Sequence, residues 1–187
     1  MARFTTSDGI SLYFDETGDA SDPPLLCLPG LTRNSGDFRF VLPHLSDWRV
    51  IRLDFRGRGQ SDRADPATYQ IPVEARDTLE LLDHLGIRRA AILGTSRGGL
   101  VAMTIAAFAK DRLAGVCLND VGPVLEREGL EDIADYIGIA PKAPTLEEAA
   151  LARASVIPGF KNVSPERWLE DTRNQFIQTE DGLKLSY

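Results

Sequence analysis

The chain has 187 residues, 43% hydrophobic and 26% charged, a balance that suits one well-packed globular protein and argues against a disordered or fibrous one. Its 28 acidic against 21 basic residues give a formal charge of −7, and the basic residues are scattered, so nucleic acid is excluded as a partner. No apolar stretch approaches the roughly 20 residues of a membrane span, and Met1-Ala2-Arg3-Phe4 does not open a signal peptide, so no membrane association and a cytoplasmic setting are expected.

In chain order, Arg3-Phe4-Thr5-Thr6 and Ser11-Leu12-Tyr13-Phe14 flank Ser7-Asp8-Gly9, a turn signal that predicts an antiparallel hairpin. Residues 25–28 end abruptly at Pro29-Gly30 and residues 48–53 at Asp54, and both read as buried strands with polar loops at their carboxyl ends. Ala75, Leu79, Leu82 and Leu85 recur at helical spacing behind Pro72, which predicts a helix over 73–85 stopped by Gly86. A strand over 90–93, an apolar helix over 100–109 and a strand over 113–118 follow. Alternation of strand and helix predicts an α/β fold over residues 1–121, with a mostly parallel sheet of six strands and helices on both faces. Cys27 and Cys117 lie in two of the apolar strands and read as buried, reduced thiols. Strands separated by a third stand about 9–10 Å apart, beyond the roughly 7 Å reach of a disulfide.

Beyond Asp120 the pattern changes. Helical segments over 123–138, 145–156 and 164–177, split by Pro141, Pro144, Pro158 and Pro165, predict a helical cap over residues 122–187 with no further buried strand. Residues 178–187 carry another turn signal, Asp181-Gly182, and stop as a second arm begins.

Gly94-Thr95-Ser96-Arg97-Gly98 carries the chemistry, because it places a serine where a strand must turn sharply into a helix. Such a turn forces the serine toward positive φ, and glycines at 94 and 98 let neighbouring backbone approach. It also leaves the Arg97 amide unpaired at a helix N-terminus, where an oxyanion would sit. The competing reading is a tight turn with Ser96 as an ordinary N-cap. A phosphate-binding loop would need a lysine after the glycines, and none follows.

With this elbow, with Leu28-Pro29-Gly30-Leu31 upstream, and with a loop running from Asp54 through Arg56, Gly57, Arg58 and Gly59 to Asp62, the chain resembles the α/β-hydrolase fold family. The likeness is to its serine-nucleophile, esterase- and lactonase-like members, and it covers essentially the whole chain. It implies Ser96 as nucleophile, the backbone amides of Leu31 and Arg97 as oxyanion hole, a small-molecule ester or related acyl compound as substrate, and neither cofactor nor metal. An aspartate at 96 would have implied epoxide or haloalkane hydrolysis instead. Pro29 stands where many members carry histidine, but the Leu31 amide does not depend on it. The loop from Asp54 to Asp62 reads as structural, with a direct catalytic role as the alternative, and Arg33 and Asp37 read as solvated loop charges, with a place facing the substrate as theirs.

The family's order along the chain is serine, acid, histidine. Asp120 ends the sixth strand, a position some members use for the acid; the alternative is that it caps the helix beginning near Pro123 or fixes the loop. The two histidines, His44 and His84, both precede Ser96 and read as helical residues, the alternative being that one of them is recruited as the base from an unusual place. The expectation is therefore a chain without the family's C-terminal third, nearly inactive alone for want of the triad histidine. The flank of its sixth strand would be left open to a complementary C-terminal segment or to a second copy. The competing expectation is a non-catalytic, hydrolase-like domain that binds a ligand or partner.

Overall fold

The computed structural model describes residues 2–135, 137–157 and 159–187, and the chain divides into two compact units, Met1–Leu125 and Glu126–Tyr187. The first unit is built on a six-stranded sheet. Strands β1 (Ala2–Thr5) and β2 (Ser11–Thr17) form the antiparallel hairpin expected around Asp8-Gly9. Next come β3 (Pro24–Leu28), β4 (Arg49–Leu53), β5 (Ala90–Thr95) and β6 (Leu113–Asn119), in the spatial order β1-β2-β4-β3-β5-β6. β2 runs antiparallel to β4, and the pairings of β3 with β4, β3 with β5 and β5 with β6 are parallel.

The apolar runs alternate between two buried faces. Leu26 and Leu28 join Ile51, Leu53 and Ile92 in a core closed by α1 (Ile71–His84) and α2 (Arg97–Phe108). Leu25 and Cys27 join Val50 and Phe38 on the other face, which two 3-10 helical segments, Ser35–Phe40 and Leu42–His44, help to cover. Each fully buried leucine or isoleucine contributes about 1.5–3 kcal/mol over leaving it in water.

α1 starts behind Gln70 with Pro72 in its first turn, as its sequence requires. Its buried face is turned from the expected stripe: Glu74, Ala75, Asp77, Thr78, Leu81 and Leu82 are buried, while Leu79 and Leu85 are only partly so. Two carboxylates therefore sit inside, each facing an arginine.

Sheet register positions the site. Leu28 pairs with Gly94, and Gly94 with Leu118, so the carboxyl ends of β3, β5 and β6 lie side by side. The chain leaves β3 toward β4 on one side, and β5 adds on the other, which makes the β3/β5 boundary the topological switch point where open α/β sheets place their ligands.

β6 is the edge strand, and its residues from Ala114 to Asn119 are exposed. Cys117 is accordingly exposed and not buried, because β6 is covered by β5 along one edge alone among the described elements. Cys27 is buried one strand beyond β5, and burial pushes its thiol up to about 12. Iodoacetamide is expected to modify Cys117 in the folded 187-residue chain and Cys27 only after denaturation; peptide mass mapping checks this, and modification of Cys27 in the folded chain would contradict it.

The second unit holds α3 (Arg127–Ala134), α4 (Leu146–Val156) and α5 (Pro165–Gln175). The Thr145 side chain caps α4 by accepting from the Glu148 amide, and Ser164 caps α5 by accepting from that of Arg167. The turn signal at Asp181-Gly182 is matched by an antiparallel hairpin of β7 (Phe176–Thr179) and β8 (Gly182–Leu185), whose first strand begins inside the segment expected to be helical to residue 177. Phe176 and Leu183 are buried in one cluster with Ala149 of α4, and the two strands form a sheet of their own. Pro158, one of the expected helix breaks, lies outside the described residues. Among the described residues no helix is long and apolar enough to cross a membrane.

Candidate active site

At the end of β5 the backbone turns through Ser96 with φ 48° and ψ −112°, a sparsely populated conformation for a residue with a side chain. Strain of this kind costs about 1–3 kcal/mol and persists only where the surroundings fix it. Here they do. The Ser96 amide donates to the Asn119 carbonyl at 2.8 Å, and the Ser96 carbonyl accepts from the Gly99 amide at 2.9 Å. A β-carbon on Gly98 would stand 2.2 Å from the Leu28 carbonyl oxygen, and one on Gly94 would stand 2.6 Å from that of Gly98. Only glycine allows α2 to begin so close to β3 and β5.

Because Ser96 makes no side-chain cap on α2, which starts at Arg97, the first amides of the helix have no capping side chain. The loop after β3 passes beside the serine: a β-carbon on Gly30 would lie 3.9 Å from that of Ser96. Leu31 follows directly. Asp120 comes one residue after the carbonyl that receives the Ser96 amide; it is exposed, at φ 57°. Glu126, not Asp120, occupies the N-cap position of α3. The register thus brings Leu31, Ser96, Arg97 and Asp120 to one end of three adjacent strands.

The histidines lie elsewhere. His44 is exposed at the end of a 3-10 segment. His84 closes α1 and packs on Phe4 and Phe14, with ring centroids 5.7 and 6.2 Å away, on β1 and β2. β2 is three strand spacings from β5, roughly 14 Å at the usual spacing.

The loop from Asp54 to Asp62 braces the site. Asp54 is buried, accepting from the Ser35 amide at 2.6 Å and the Gln60 amide at 2.8 Å, while its own carbonyl accepts from the Ser61 hydroxyl at 2.6 Å. Burial raises the Asp54 carboxyl above its ordinary value, outweighing the two amide donors that lower it. The folded state then holds this proton at a pH where the unfolded aspartate, with a pKa of about 3.9, has lost it. Stability from this group therefore rises as pH falls through that interval. Carboxyl-carbon NMR titration is expected to give a midpoint above the unfolded value, and a midpoint at or below that value would contradict it. Arg33 and Asp37 form an ion pair at 2.5 and 2.8 Å, half-buried and not solvated as expected from sequence.

Three contacts near the elbow were not legible in the sequence. Glu74, 3% exposed, binds the Arg97 guanidinium at 2.7 and 3.0 Å; Tyr69 offers its carbonyl to the same group at 2.8 Å; Arg58 donates to the Leu31 carbonyl at 2.8 Å. Burial raises the Glu74 carboxyl, with Arg97 opposing. Glu74 lies beside the stripe of Ala75, Leu79, Leu82 and Leu85 and not on it, so no local pattern marked it as buried. Among the described residues, no group of three or more histidine, cysteine, aspartate and glutamate side chains is arranged to hold a metal ion.

Comparison with known proteins agrees with this architecture. The sequence model of the alpha/beta hydrolase fold family matches residues 23–180, and the chain belongs to that family. It is 36% identical over 178 residues to the 3-hydroxybutyrate-oligomer hydrolase of Cupriavidus necator, covering 92% of this chain and 61% of that protein. It is 35% identical over 118 residues to haloalkane dehalogenase 2 of Mycobacterium tuberculosis, covering 63% of this chain and 40% of that one. It superposes on the crystal structure of an alpha/beta hydrolase from Novosphingobium aromaticivorans with a TM-score of 0.88 and 40% identity, over all of this chain and 67% of that one. The chain spans less than two thirds of the length of the curated relatives it matches.

Proposed function

We propose that this chain carries the nucleophile and oxyanion hole of a hydrolase that cleaves small-molecule esters. The observation that carries the reading is Ser96 itself, held at φ 48° between β5 and α2 with the Arg97 amide at the start of the helix behind it. The Ser96 hydroxyl oxygen attacks the ester carbonyl carbon and gives its proton to a base. The resulting oxyanion accepts hydrogen bonds from the Leu31 and Arg97 amides, the alcohol leaves with a proton, and water releases the acid from the acyl-serine. A serine at this position favours acyl transfer over the dehalogenation named for the mycobacterial relative. The C. necator relative makes oligomers of 3-hydroxybutyrate the first ester substrates to try.

The base is a histidine from polypeptide outside these 187 residues, since His84 is engaged on β1 and β2 and His44 sits in a separate turn. Asp120, at the end of β6, is the residue proposed to orient it. The same strand, with Val116 and Leu118 41% and 39% exposed, is proposed to pair with further polypeptide or with a second copy. Sedimentation of the 187 residues alone is expected to show association, and a monodisperse monomer would overturn that pairing.

The test of the central reading is turnover of p-nitrophenyl butyrate and of a 3-hydroxybutyrate dimer by the protein in the length its cells make, with and without Ser96→Ala. Loss of turnover in the variant is expected. Equal turnover by both would overturn Ser96 as nucleophile, and no turnover by either would transfer the reading to a non-catalytic domain that binds a ligand or partner.

A further inference from the structure

A continuous set of side-chain bonds joins the two loops that bear the Leu31 and Arg97 amides. From the Leu31 side, Arg58 donates through Nε to the Leu31 carbonyl at 2.8 Å and through Nη1 to the Gly57 carbonyl at 3.1 Å. Its guanidinium carbon lies 5.2 Å from the centroid of the Tyr69 ring, in cation–π range. Tyr69 is itself fixed, its hydroxyl accepting from the Ala64 amide at 3.1 Å. From the other side, Arg97 donates through Nη2 to the Tyr69 carbonyl at 2.8 Å, and its Nε and Nη2 form a fork on the two oxygens of Glu74, at 2.7 and 3.0 Å. Glu74 is buried in the first turn of α1, where its own amide donates to the Gln70 carbonyl at 3.0 Å. Tyr69 is thus held by one arginine at its ring and by another at its carbonyl. The Glu74 carboxylate is the buried counter-charge to both.

We infer that Arg58 and Glu74 are positioning residues which, through Tyr69, hold the Leu31 and Arg97 amides at a fixed separation, so that both point at one oxyanion. This inference rests on the reading of Ser96 as nucleophile. The physical need is plain: the two amides belong to loops after different strands, and donors to an oxyanion act only within about 2.7–3.1 Å of it. Fixing the Leu31 carbonyl limits rotation of the peptide that follows the Leu31 amide, and anchoring the Arg97 side chain fixes the residue whose amide starts α2. A donor pair that is loosened binds the substrate's neutral carbonyl nearly as before and the charged transition state worse. The clamp therefore acts on kcat and not on KM.

The first readout does not depend on turnover. Amide 1H–15N spectra of Glu74→Gln and Arg58→Met are compared with the unsubstituted protein. Glu74→Gln, at one end of the set, is expected to shift or broaden the Leu31 amide at the other, and Arg58→Met the Arg97 amide. Disturbance confined to each variant's own neighbour would overturn the inference. The second readout is p-nitrophenyl butyrate hydrolysis by the protein in its cellular length. Each variant is expected to lower kcat about 10- to 100-fold, less than the roughly 10²–10³ for deleting an oxyanion donor outright, with KM within about twofold. The double variant should be no worse than the worse single one, and Arg58→Lys should recover part of the loss. Unchanged kcat in folded variants, or a loss that falls on KM, would also overturn it. If Ser96→Ala leaves turnover unchanged, the nucleophile reading has failed, and the amide spectra still decide whether the clamp exists. If Arg58→Met fails to fold, Arg58→Lys serves in its place in both readouts.

Discussion

Replacing Ser96 by alanine, in the protein that carries its histidine, is expected to lower ester turnover by about 10⁶-fold, the size found when a serine hydrolase loses its nucleophile. The same substitution in the 187 residues alone is expected to change little. Nucleophile and base act as a unit, so with the base outside these residues, as proposed above, they would retain only the roughly 10³–10⁴ over water that an oxyanion hole and binding supply, with or without Ser96. The pair of results is more informative than either, because a merely structural Ser96 would give the same small change in both proteins. Burst and steady-state rates with p-nitrophenyl butyrate measure it.

The second large effect lies in the fold. Arg56 is a fully buried arginine whose Nε and Nη2 bind the two oxygens of Asp77 at 2.7 and 2.8 Å, and whose Nη1 and Nη2 reach Asp8 at 3.1 and 3.2 Å. Asp77 is as deeply buried, and Arg76 adds a bond to Asp8 at 2.8 Å. Arg56→Met leaves the buried Asp77 charge without its fork of donors and with only the 3.2 Å bond from Arg76, which is expected to cost about 3–5 kcal/mol. That is a large share of the roughly 5–15 kcal/mol that holds a domain together. Removing both charges, as Arg56→Met with Asp77→Leu, is expected to cost less than the single change, since no charge is then stranded. Urea unfolding of the three proteins checks this; a single variant within about 1 kcal/mol of the unsubstituted protein would contradict it. Asp8, held well below the usual carboxylate range chiefly by Arg56, contributes stability above its unfolded pKa that is lost as pH falls through its folded one.

What was legible in the sequence was local or periodic. Gly94, Gly98 and Gly99 around Ser96 announce a turn whose glycines prove to be required by backbone within 3 Å of where a side chain would begin, or, at Gly99, by the Val121 side chain. The strands around Leu26, Ile51 and Ile92 were readable because burial on both faces makes an unbroken apolar run. The turn at Asp181-Gly182 was readable too, but the start of β7 was not, because Trp168, Thr172 and Phe176 carry helical spacing straight into a strand of four residues. Nor was the clustering of Asp8, Arg56 and Asp77, which stand far apart in the chain until β2, β4 and α1 are packed. The bracing of the elbow by Arg58, Tyr69 and Glu74 was hidden for the same reason: Glu74 and Asp77 lie off the stripe of Ala75, Leu79, Leu82 and Leu85, and no local pattern marked them as buried.

The most direct test of Ser96 as nucleophile is to mix the protein, in the length its cells make, with p-nitrophenyl butyrate, quench in acid within the burst, and locate the butyryl group by peptide mass. One butyryl group on the peptide containing Ser96, absent from the Ser96→Ala variant, is the expected result. A butyryl group on another side chain such as Cys117, in equal amount in both proteins, would contradict it.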